Sequence, residues 1–230
     1  MLLSKRLFAV AGLVTPGLRL ADVGTDHGYI PLWLIEEGIV PSAIAMDVNE
    51  GPLERARENI KSHGLEEKIQ TRLSDGVQAL EPGEAQSLVI AGMGGSLVIR
   101  ILQEGPAVLE AAEEVILQPQ SDIWKVRRFL AETGYRIAEE RMVMEDGKFY
   151  PMMRAVHGDS GEMSDIDYLY GPRLLEEKDA CLGLFLEKEE QTLEKLREGL
   201  WASGTEKARE RLLEIEEKYQ RLKSAKERIS

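Results

Sequence analysis

The sequence predicts an α/β protein whose main domain is a doubly wound, mostly parallel sheet. Up to about Val156, short apolar runs rich in β-forming residues alternate with helical stretches. This alternation implies crossover connections, with helices on both faces of the sheet. Beyond His157 the chain is charged and helix-prone and has no further strand-like run. We therefore expect one domain over residues 1–157 and a helical appendage over residues 158–230.

The strands of the expected sheet can be assigned in order. Five candidate strands lie in LRLADVG, SAIAMDVN, KIQTRLSDG, SLVIAGMGG and EVILQPQ. Helical stretches such as PLERARENIKSHG separate them, and a short amphipathic helix is expected before the first strand. The run YRIAEERMVMEDGKFYPMMRAVH contains two alternating segments joined by EDGK, which is typical of a β-hairpin. We therefore expect an antiparallel edge on an otherwise parallel sheet.

From Pro172 to Ser230 the chain is charged and helix-prone, and it is interrupted only near WASGTEK. Before the interruption the apolar residues at helical spacing are Leu182, Leu186, Leu193, Leu196 and Leu200, with one gap at Glu189. After it they are Ala208, Leu212, Ile215, Tyr219, Leu222 and Ile229. Two such seams joined by a short turn predict an antiparallel helical hairpin, with the stripes forming its core.

Composition limits the classes of function. The 230 residues carry a net charge of −12, which on its own argues against a nucleic-acid partner. No apolar run reaches the roughly 20 residues that a membrane helix needs. A single cysteine, Cys181, and three histidines without metal-ligand spacing predict neither disulfides nor a metal centre. A cytoplasmic protein without membrane or metal is expected, and a monomer is the expected state.

A glycine turn follows the first candidate strand in the order Gly24-Thr25-Asp26-His27-Gly28, with Asp22 just before it. A dinucleotide site has glycine near the position of Asp26, so that bare backbone can approach a pyrophosphate. Two carboxylates would instead repel a pyrophosphate and attract a cation. S-adenosylmethionine is cationic at sulfur and nitrogen and has no phosphate. The turn predicts this cofactor, although Asp22 and Gly24 singly also suit an ordinary strand-to-helix turn.

Acidic residues at later strand ends support the same ligand. Asp47 follows the second strand, where a carboxylate can accept both ribose hydroxyl hydrogen bonds. Asp75 and Gly76 follow the third strand and suit the adenine amino group. The loop with Gly92 and Met93 opens from the fourth strand, beside the methyl-donor end. Asp47 also suits a helix cap and Asp75 a turn, but acids at consecutive strand ends favour a ligand.

The motifs DVGTDHGY, AMDVN, SDG, AGMGG and QPQS together resemble those of the bacterial tRNA (adenine-N1)-methyltransferases of the TrmK type. The resemblance covers the whole chain. It implies a class I, Rossmann-like methyltransferase domain followed by a helical hairpin that helps to hold tRNA. It also implies methyl transfer from S-adenosylmethionine to N1 of adenosine 22 in the D-arm.

The resemblance also implies roles for individual residues. The methionine portion of the cofactor would be lined by Asp22, Gly24, His27 and Gly28. Asp47 would hold the ribose, Asp75 and Gly76 the adenine, and Val48, Gly92 and Met93 complete the expected cofactor contacts. The Asn/Asp-Pro-Pro-aromatic motif of amino-group methyltransferases is replaced by AGMGG, which favours a ring nitrogen as the acceptor.

Two catalytic candidates follow from the chemistry. Adenine N1 has an in-plane lone pair, so catalysis can consist mostly of alignment. Methylation makes the base cationic, and the carboxylate of Asp26 could stabilise that charge; Asp26 could equally cap the next helix. His27 could orient a ligand or only bond the turn backbone. Tyr29, Met93 and Phe149-Tyr150 are candidate stacking walls, and Gln118-Pro119-Gln120 could contact a base edge.

The sequence also contains candidate phosphate contacts and leaves alternative functions open. The cations considered are Lys5, Arg6, Arg100, Lys125, Arg127, Arg128 and Lys148, then Lys188, Lys195, Arg197, Lys207, Arg209 and Arg211 in the hairpin. Helical charge runs are more often solvated faces. The alternatives are a methyltransferase for a small molecule or protein, and a non-catalytic binding protein that uses the hairpin. A nicotinamide oxidoreductase is disfavoured by the glycine spacing.

Overall fold

The computed structural model describes residues 1–203 and 205–230. The chain forms two compact units, Met1–Gly161 and Glu162–Ser230. The functional boundary expected between residues 157 and 158 stays a prediction. None of the described helices is both long enough and apolar enough to cross a membrane.

The first unit contains a seven-stranded sheet in the order β3-β2-β1-β4-β5-β7-β6. Its strands are β1 Leu20–Val23, β2 Ala43–Asp47, β3 Ile69–Leu73, β4 Ser87–Met93, β5 Glu114–Pro119, β6 Tyr135–Glu145 and β7 Lys148–His157. The first five are parallel, whereas β7 is antiparallel to both β5 and β6. The expected parallel sheet with an antiparallel edge is confirmed.

Six helices accompany the sheet, and they cover both of its faces. They are α1 Lys5–Ala11, α2 Tyr29–Glu36, α3 Glu50–Ser62, α4 Gly95–Glu104, α5 Pro106–Ala111 and α6 Ile123–Glu132. Buried residues of α1, α2 and α3 share one apolar cluster with Leu20 of β1. Those of α4, α5 and α6 share the other cluster with Val23. Alternate residues of each strand thus face opposite helical layers, as in doubly wound folds.

The antiparallel edge is a two-residue hairpin. Glu145 pairs with Lys148, and the loop consists of Asp146 and Gly147. Both loop residues have positive φ angles, 49° and 73°, which a type I′ turn requires. The Asp-Gly signal in the sequence therefore located this turn correctly.

Arg127 corrects the expected set of surface cations. It lies in α6 and is only 1% exposed, and its Nε donates to Oε1 of Glu140 at 2.8 Å. Glu140 is equally buried. Removing either partner would leave a buried charge uncompensated, which is strongly destabilising. Arg127 is therefore a structural residue of the first unit, and its assignment as a phosphate contact is wrong.

The second unit is helical in its described part. Its helices are α7 Asp165–Tyr170, α8 Pro172–Glu176, α9 Ala180–Ser203 and α10 Glu206–Ile229. Ion pairs join Arg197 to Glu216 and Glu190 to Lys226, so α9 and α10 run antiparallel. This confirms the helical hairpin. The turn predicted in WASGTEK includes Gly204, which lies outside the described residues.

The apolar seams of the hairpin are confirmed in part. Leu182, Leu186 and Leu193 of α9 are buried, as are Ala208, Ile215 and Leu222 of α10. Leu196, in contrast, is 48% exposed. The three buried seam positions of α10 are seven residues apart, which is the spacing of a coiled-coil contact.

The prediction of a single interruption after Pro172 was wrong. A second break separates α8 from α9 at Lys178, whose φ angle is 51°. The polar connection before Pro172 also contains the short helix α7. Ser164 caps α7 with a reciprocal bond to Asp167, and Tyr170 donates to Oε2 of Glu189 at 3.0 Å. The gap at Glu189 in the seam is therefore filled by a hydrogen bond inside the second unit.

Candidate active site

The carboxyl ends of the parallel strands meet at one edge of the sheet, where they border a cavity of ≈ 240 Å³. Doubly wound folds bind ligands at this edge. Six of the predicted site residues line the cavity: Asp22, Gly24, Asp26, Asp47, Gly92 and Met93. Tyr29 and Gln120, suggested as substrate contacts, also line it.

Five predicted cofactor residues lie outside the lining of this cavity: His27, Gly28, Val48, Asp75 and Gly76. Val48 is 58% exposed, and Gly76 has a φ angle of 58°. Asp75, a candidate adenine contact, accepts a hydrogen bond at 3.0 Å from Arg100, a candidate phosphate contact. The cofactor roles of these five residues stay predictions.

Asp22 is the most buried carboxylate of the cavity. It lies in β1, is 4% exposed, and accepts a hydrogen bond from Oγ1 of Thr25 at 2.6 Å. Burial raises the pKa of Asp22 to about 6, partly opposed by the Thr25 bond and reinforced by the charges of Asp26 and Asp47. Near neutral pH the group is ionised but poorly solvated, which favours a cationic ligand.

The glycine turn is fixed to the neighbouring strand. The backbone N–H groups of Gly24 and Thr25 both donate to the carbonyl oxygen of Met46 in β2, at 2.8 and 2.7 Å. Gly24 has a φ angle of 76°, and a Cβ atom there would lie 2.0 Å from Cε of Met93. Glycine is favoured at this position, because any other residue would be strained at this φ angle and would displace the end of the Met93 side chain.

The side chain of Asp26 is exposed and lies beside the His27 ring. The Asp26 side chain is 76% exposed, and Oδ1 lies 3.3 Å from Nε2 of His27. The His27 ring stacks on Tyr29 with centroids 5.2 Å apart. The N-cap of α2 is Gly28, without a side-chain hydrogen bond, so Asp26 does not cap this helix. The alternative structural role considered for Asp26 is therefore wrong.

The backbone of His27 is held in an uncommon conformation. Its φ angle is 57°, and its carbonyl oxygen accepts a hydrogen bond from Nδ2 of Asn59 at 2.9 Å. Asn59 lies in α3, so a tertiary contact stabilises the strained turn residue. This backbone bond gives His27 a structural role that is independent of any contact with a ligand.

The sequence did not indicate that α1 contributes to the cavity. Arg6 and Leu7 of α1 line it together with Ile30 of α2. Arg6 donates to Oε1 of the buried Gln118 at 3.0 Å, and its guanidinium lies 5.8 Å from the ring centroid of Tyr150. A nearby positive charge in an acidic cavity is a tertiary feature, since residue 6 is more than a hundred positions from both partners.

A larger cavity, of ≈ 440 Å³, lies elsewhere in the first unit. It is lined by residues near the amino ends of β5 and β6, among them Val115 and Tyr135. None of the predicted site residues borders it. In the described part of the chain there is also no cluster of three or more His, Cys, Asp or Glu that could hold a metal ion.

Comparison with known proteins gives the family. A family profile described as a methyltransferase domain matches residues 3–153. The tRNA (adenine(22)-N(1))-methyltransferase of Bacillus subtilis strain 168 is 34% identical over 96% of this chain and 95% of its own length. The chain belongs to the tRNA (adenine(22)-N(1))-methyltransferase family.

Solved structures agree with this assignment along the whole length of the methyltransferase. The crystal structure of the B. subtilis m1A22 tRNA methyltransferase TrmK has a TM-score of 0.87 and 33% identity, covering 98% of this chain and 99% of that one. The Streptococcus pneumoniae protein Sp1610, crystallised in complex with S-adenosyl-L-methionine, has a TM-score of 0.87 and 38% identity, covering 98% and 100%. The resemblance based on the five sequence motifs is confirmed.

The raised pKa of Asp22 predicts that cofactor affinity in this methyltransferase depends on pH. Below pH ~6 Asp22 is protonated, and its attraction for cationic S-adenosylmethionine is lost. We expect the affinity to fall progressively from pH 7 to pH 5, with proton release on binding in the acidic range. Calorimetry across pH 5–8, in buffers of different ionisation enthalpy, measures both effects.

Asp22→Asn provides the control. The folded-state pKa is raised, so the carboxyl favours folding at acidic pH and that stabilisation is lost as the pH rises through about 6. At pH 7.5 the Asp22→Asn variant should therefore have a free energy of unfolding in urea that is higher than that of the wild type by about 2–3 kcal/mol. It should nevertheless bind the cofactor weakly and without this pH dependence. Wild-type affinity that stays constant from pH 5 to pH 8 would contradict the role of Asp22.

Proposed function

We propose that this chain transfers a methyl group from S-adenosylmethionine to N1 of adenosine 22 in tRNA. The observation that carries the proposal is the cavity at the carboxyl strand ends, where Asp22 and Asp47 surround a glycine turn with negative charge. The match to the B. subtilis enzyme along 96% of the chain supports it independently. The substrate implies a cytoplasmic location.

The residues of the cavity fit the cofactor. Asp47 uses Oδ1 to accept a hydrogen bond from the Asn49 N–H at 2.7 Å, which leaves Oδ2 for ribose hydroxyls. Gly24 keeps the turn free of a side chain where the methionine portion is expected. When bound, S-adenosylmethionine supplies a methyl carbon attached to a cationic sulfur. Asp22 and Asp26 favour a ligand of that charge.

The substrate side of the reaction depends on orientation. N1 needs no base, because its lone pair is available at neutral pH. N1 lies on the pairing edge of adenine, so the target nucleotide has to leave its stack to enter the cavity. Tyr29 and Met93 line the cavity and are proposed to align the exposed base against the methyl carbon.

Asp26 is proposed as the group that stabilises the product charge. Methylation at N1 places a positive charge on the adenine, and the Asp26 carboxylate lines the cavity without being committed to a cap. Its Oδ1 lies 3.3 Å from Nε2 of His27. A carboxylate near developing charge lowers the barrier because it acts more strongly on the transition state than on the neutral base.

The helical hairpin is proposed to contact tRNA rather than to take part in methyl transfer. Lys195, Lys207 and Arg209 are exposed and form no ion pair with a described residue. Arg197 and Arg211, by contrast, pair with Glu216 and Glu214. These three unpaired cations are candidates for phosphate contacts.

A direct assay tests the proposed reaction. Purified protein, S-adenosylmethionine and an unmodified tRNA transcript should yield one added methyl group at adenosine 22, located by nuclease digestion and mass mapping. A block to reverse transcription at that position distinguishes N1 from the exocyclic amine, because only the former disrupts pairing. A transcript with guanosine at position 22 is the control. Methylation elsewhere, or none, would overturn the proposal.

Asp26→Asn is expected to lower kcat by about ten- to a thousandfold while cofactor affinity changes little, since the lost stabilisation belongs to the transition state. Single-turnover kinetics at saturating cofactor, with calorimetry of cofactor binding, separates the two effects. Glu37→Gln is a matched control, because it removes an exposed carboxylate at the other end of α2. Near-normal turnover in Asp26→Asn would exclude the catalytic role.

Replacing Lys195, Lys207 and Arg209 together by glutamine should weaken tRNA binding and reduce the slope of log affinity against log salt by up to about three. Cofactor affinity should not change. The same charge can be removed from exposed positions of the first unit in Arg55→Gln, Lys61→Gln and Lys68→Gln. If both triple variants bind tRNA with the wild-type salt slope, the hairpin cations do not contact phosphate.

A further inference from the structure

Arg6 is a cation in a cavity otherwise lined by carboxylates and uncharged residues. It is half-buried and forms no ion pair with any described carboxylate, although Asp22, Asp26 and Asp47 line the same cavity. Its contacts are the carbonyl oxygen of a side-chain amide and an aromatic ring. The charge of the guanidinium is therefore not neutralised within the cavity.

The orientation of Arg6 is fixed by a buried partner. Gln118 in β5 is fully buried, and its Nε2 donates to the carbonyl oxygen of Pro119 at 3.3 Å. That bond turns Oε1 of Gln118 towards Arg6, which donates to it through Nη1 at 3.0 Å. The guanidinium has five N–H donors, so one bond leaves most of its planar fork available for a second acceptor.

The helix that carries Arg6 is itself held in place. Oγ of Ser4 accepts a hydrogen bond from the Leu7 N–H at 3.3 Å and so caps α1. The next residue, Lys5, donates from its backbone N–H to Glu145 at 2.6 Å and from Nζ to the carbonyl oxygen of Met144 at 3.1 Å. Arg6 is thus presented from a helix tied to β6, and binding requires little reorganisation.

The strands next to Arg6 show which side of the cavity it occupies. Its neighbours are Gly92 in β4, Gln118 in β5 and Tyr150 in β7. Asp22 and Asp47 belong to β1 and β2, on the other side of β4. The cavity therefore separates a negative side from a positive one, which suits a ligand with cationic and anionic groups held apart, or a cationic ligand beside an anionic one.

We propose that Arg6 is the oxyanion-binding residue of this site. Its guanidinium donates paired hydrogen bonds to a carboxylate or phosphate group, for which the planar fork is matched. Two ligands of the proposed reaction carry such a group: the cofactor, in its α-carboxylate, and the target nucleotide, in its flanking phosphates. The inference rests on the proposed function, and the two sources are distinguished by experiment.

The first measurement compares S-adenosylhomocysteine with its decarboxylated analogue by calorimetry. If Arg6 binds the carboxylate, the wild-type protein should prefer S-adenosylhomocysteine, and Arg6→Gln should reduce that preference by about ten- to a hundredfold. The preference is a ratio within one protein preparation, so a partly misfolded variant does not distort it. A purely structural role for Arg6 would leave the ratio unchanged.

The second measurement is the salt dependence of tRNA binding. If Arg6 binds a phosphate, Arg6→Gln should lower the slope of log affinity against log salt by about one. Arg6→Lys should keep the slope, because the charge remains, while losing part of the affinity that depends on the planar fork. Arg55→Gln removes one charge from an exposed position of α3 and should keep the wild-type slope.

The two experiments separate the failure of this inference from that of the proposed function. A wild-type protein that binds neither S-adenosylhomocysteine nor tRNA would overturn the proposed function. A wild-type protein that binds both, with an unchanged ligand preference and an unchanged salt slope in Arg6→Gln, would overturn the role of Arg6 alone. A change in either quantity supports oxyanion binding and identifies its source.

Discussion

The carboxylate of Asp22, buried at the end of β1, is the constraint on which the site depends. An ionised carboxylate with 4% exposure is costly unless it is compensated. The protein supplies one hydrogen bond, from Thr25, and places two further carboxylates nearby, which increase the cost. The negative charge of such a site is not compensated until a cation binds. It rejects a pyrophosphate for the same reason, so a single buried group distinguishes this glycine turn from that of a dinucleotide-binding domain.

The sheet order explains why the carboxylates converge. β1 lies between β2 and β4, and the strand order reverses there, because β2 and β3 continue to one side and β4 and β5 to the other. The helices that follow β1 and β4 consequently cover opposite faces and leave a crevice between the strand ends. Asp22 and Asp47 reach this crevice from adjacent strands. Gly24 keeps its backbone close to β2 through hydrogen bonds to Met46.

Much of this arrangement could be predicted from the sequence because it depends on local signals. Alternating apolar runs gave the strands, Asp-Gly gave the hairpin turn, and parallel strand ends must lie at one edge whatever the details of packing. The short helices α5 and α7 were missed, since each is only six residues long and has no apolar period of its own, and the break that separates α8 from α9 was not predicted.

Long-range side-chain pairs could not be predicted in this way. Arg127 pairs with Glu140, which is 13 positions away on a neighbouring strand. Arg100, on a helix, pairs with Asp75, which is 25 positions away. Arg6 meets Gln118 across 112 positions, because α1 packs against the sheet and is tied to β6. Charge type and spacing cannot distinguish these three arginines; burial and tertiary contacts give them three different roles.

The net charge of −12 is compatible with an RNA substrate once the location of the charges is considered. In the proposed reaction, the carboxylates inside the cavity act on a base that becomes cationic, and the phosphates lie outside the cavity. Other acidic groups are neutralised locally, as in the pairs of Glu84 with Arg72 and Glu140 with Arg127. A negative net charge weakens non-specific attraction to RNA, so we expect tRNA binding to depend on a few correctly placed cations. The acidity that, as a net charge, argues against a nucleic-acid substrate is therefore expected to favour selectivity for one nucleotide.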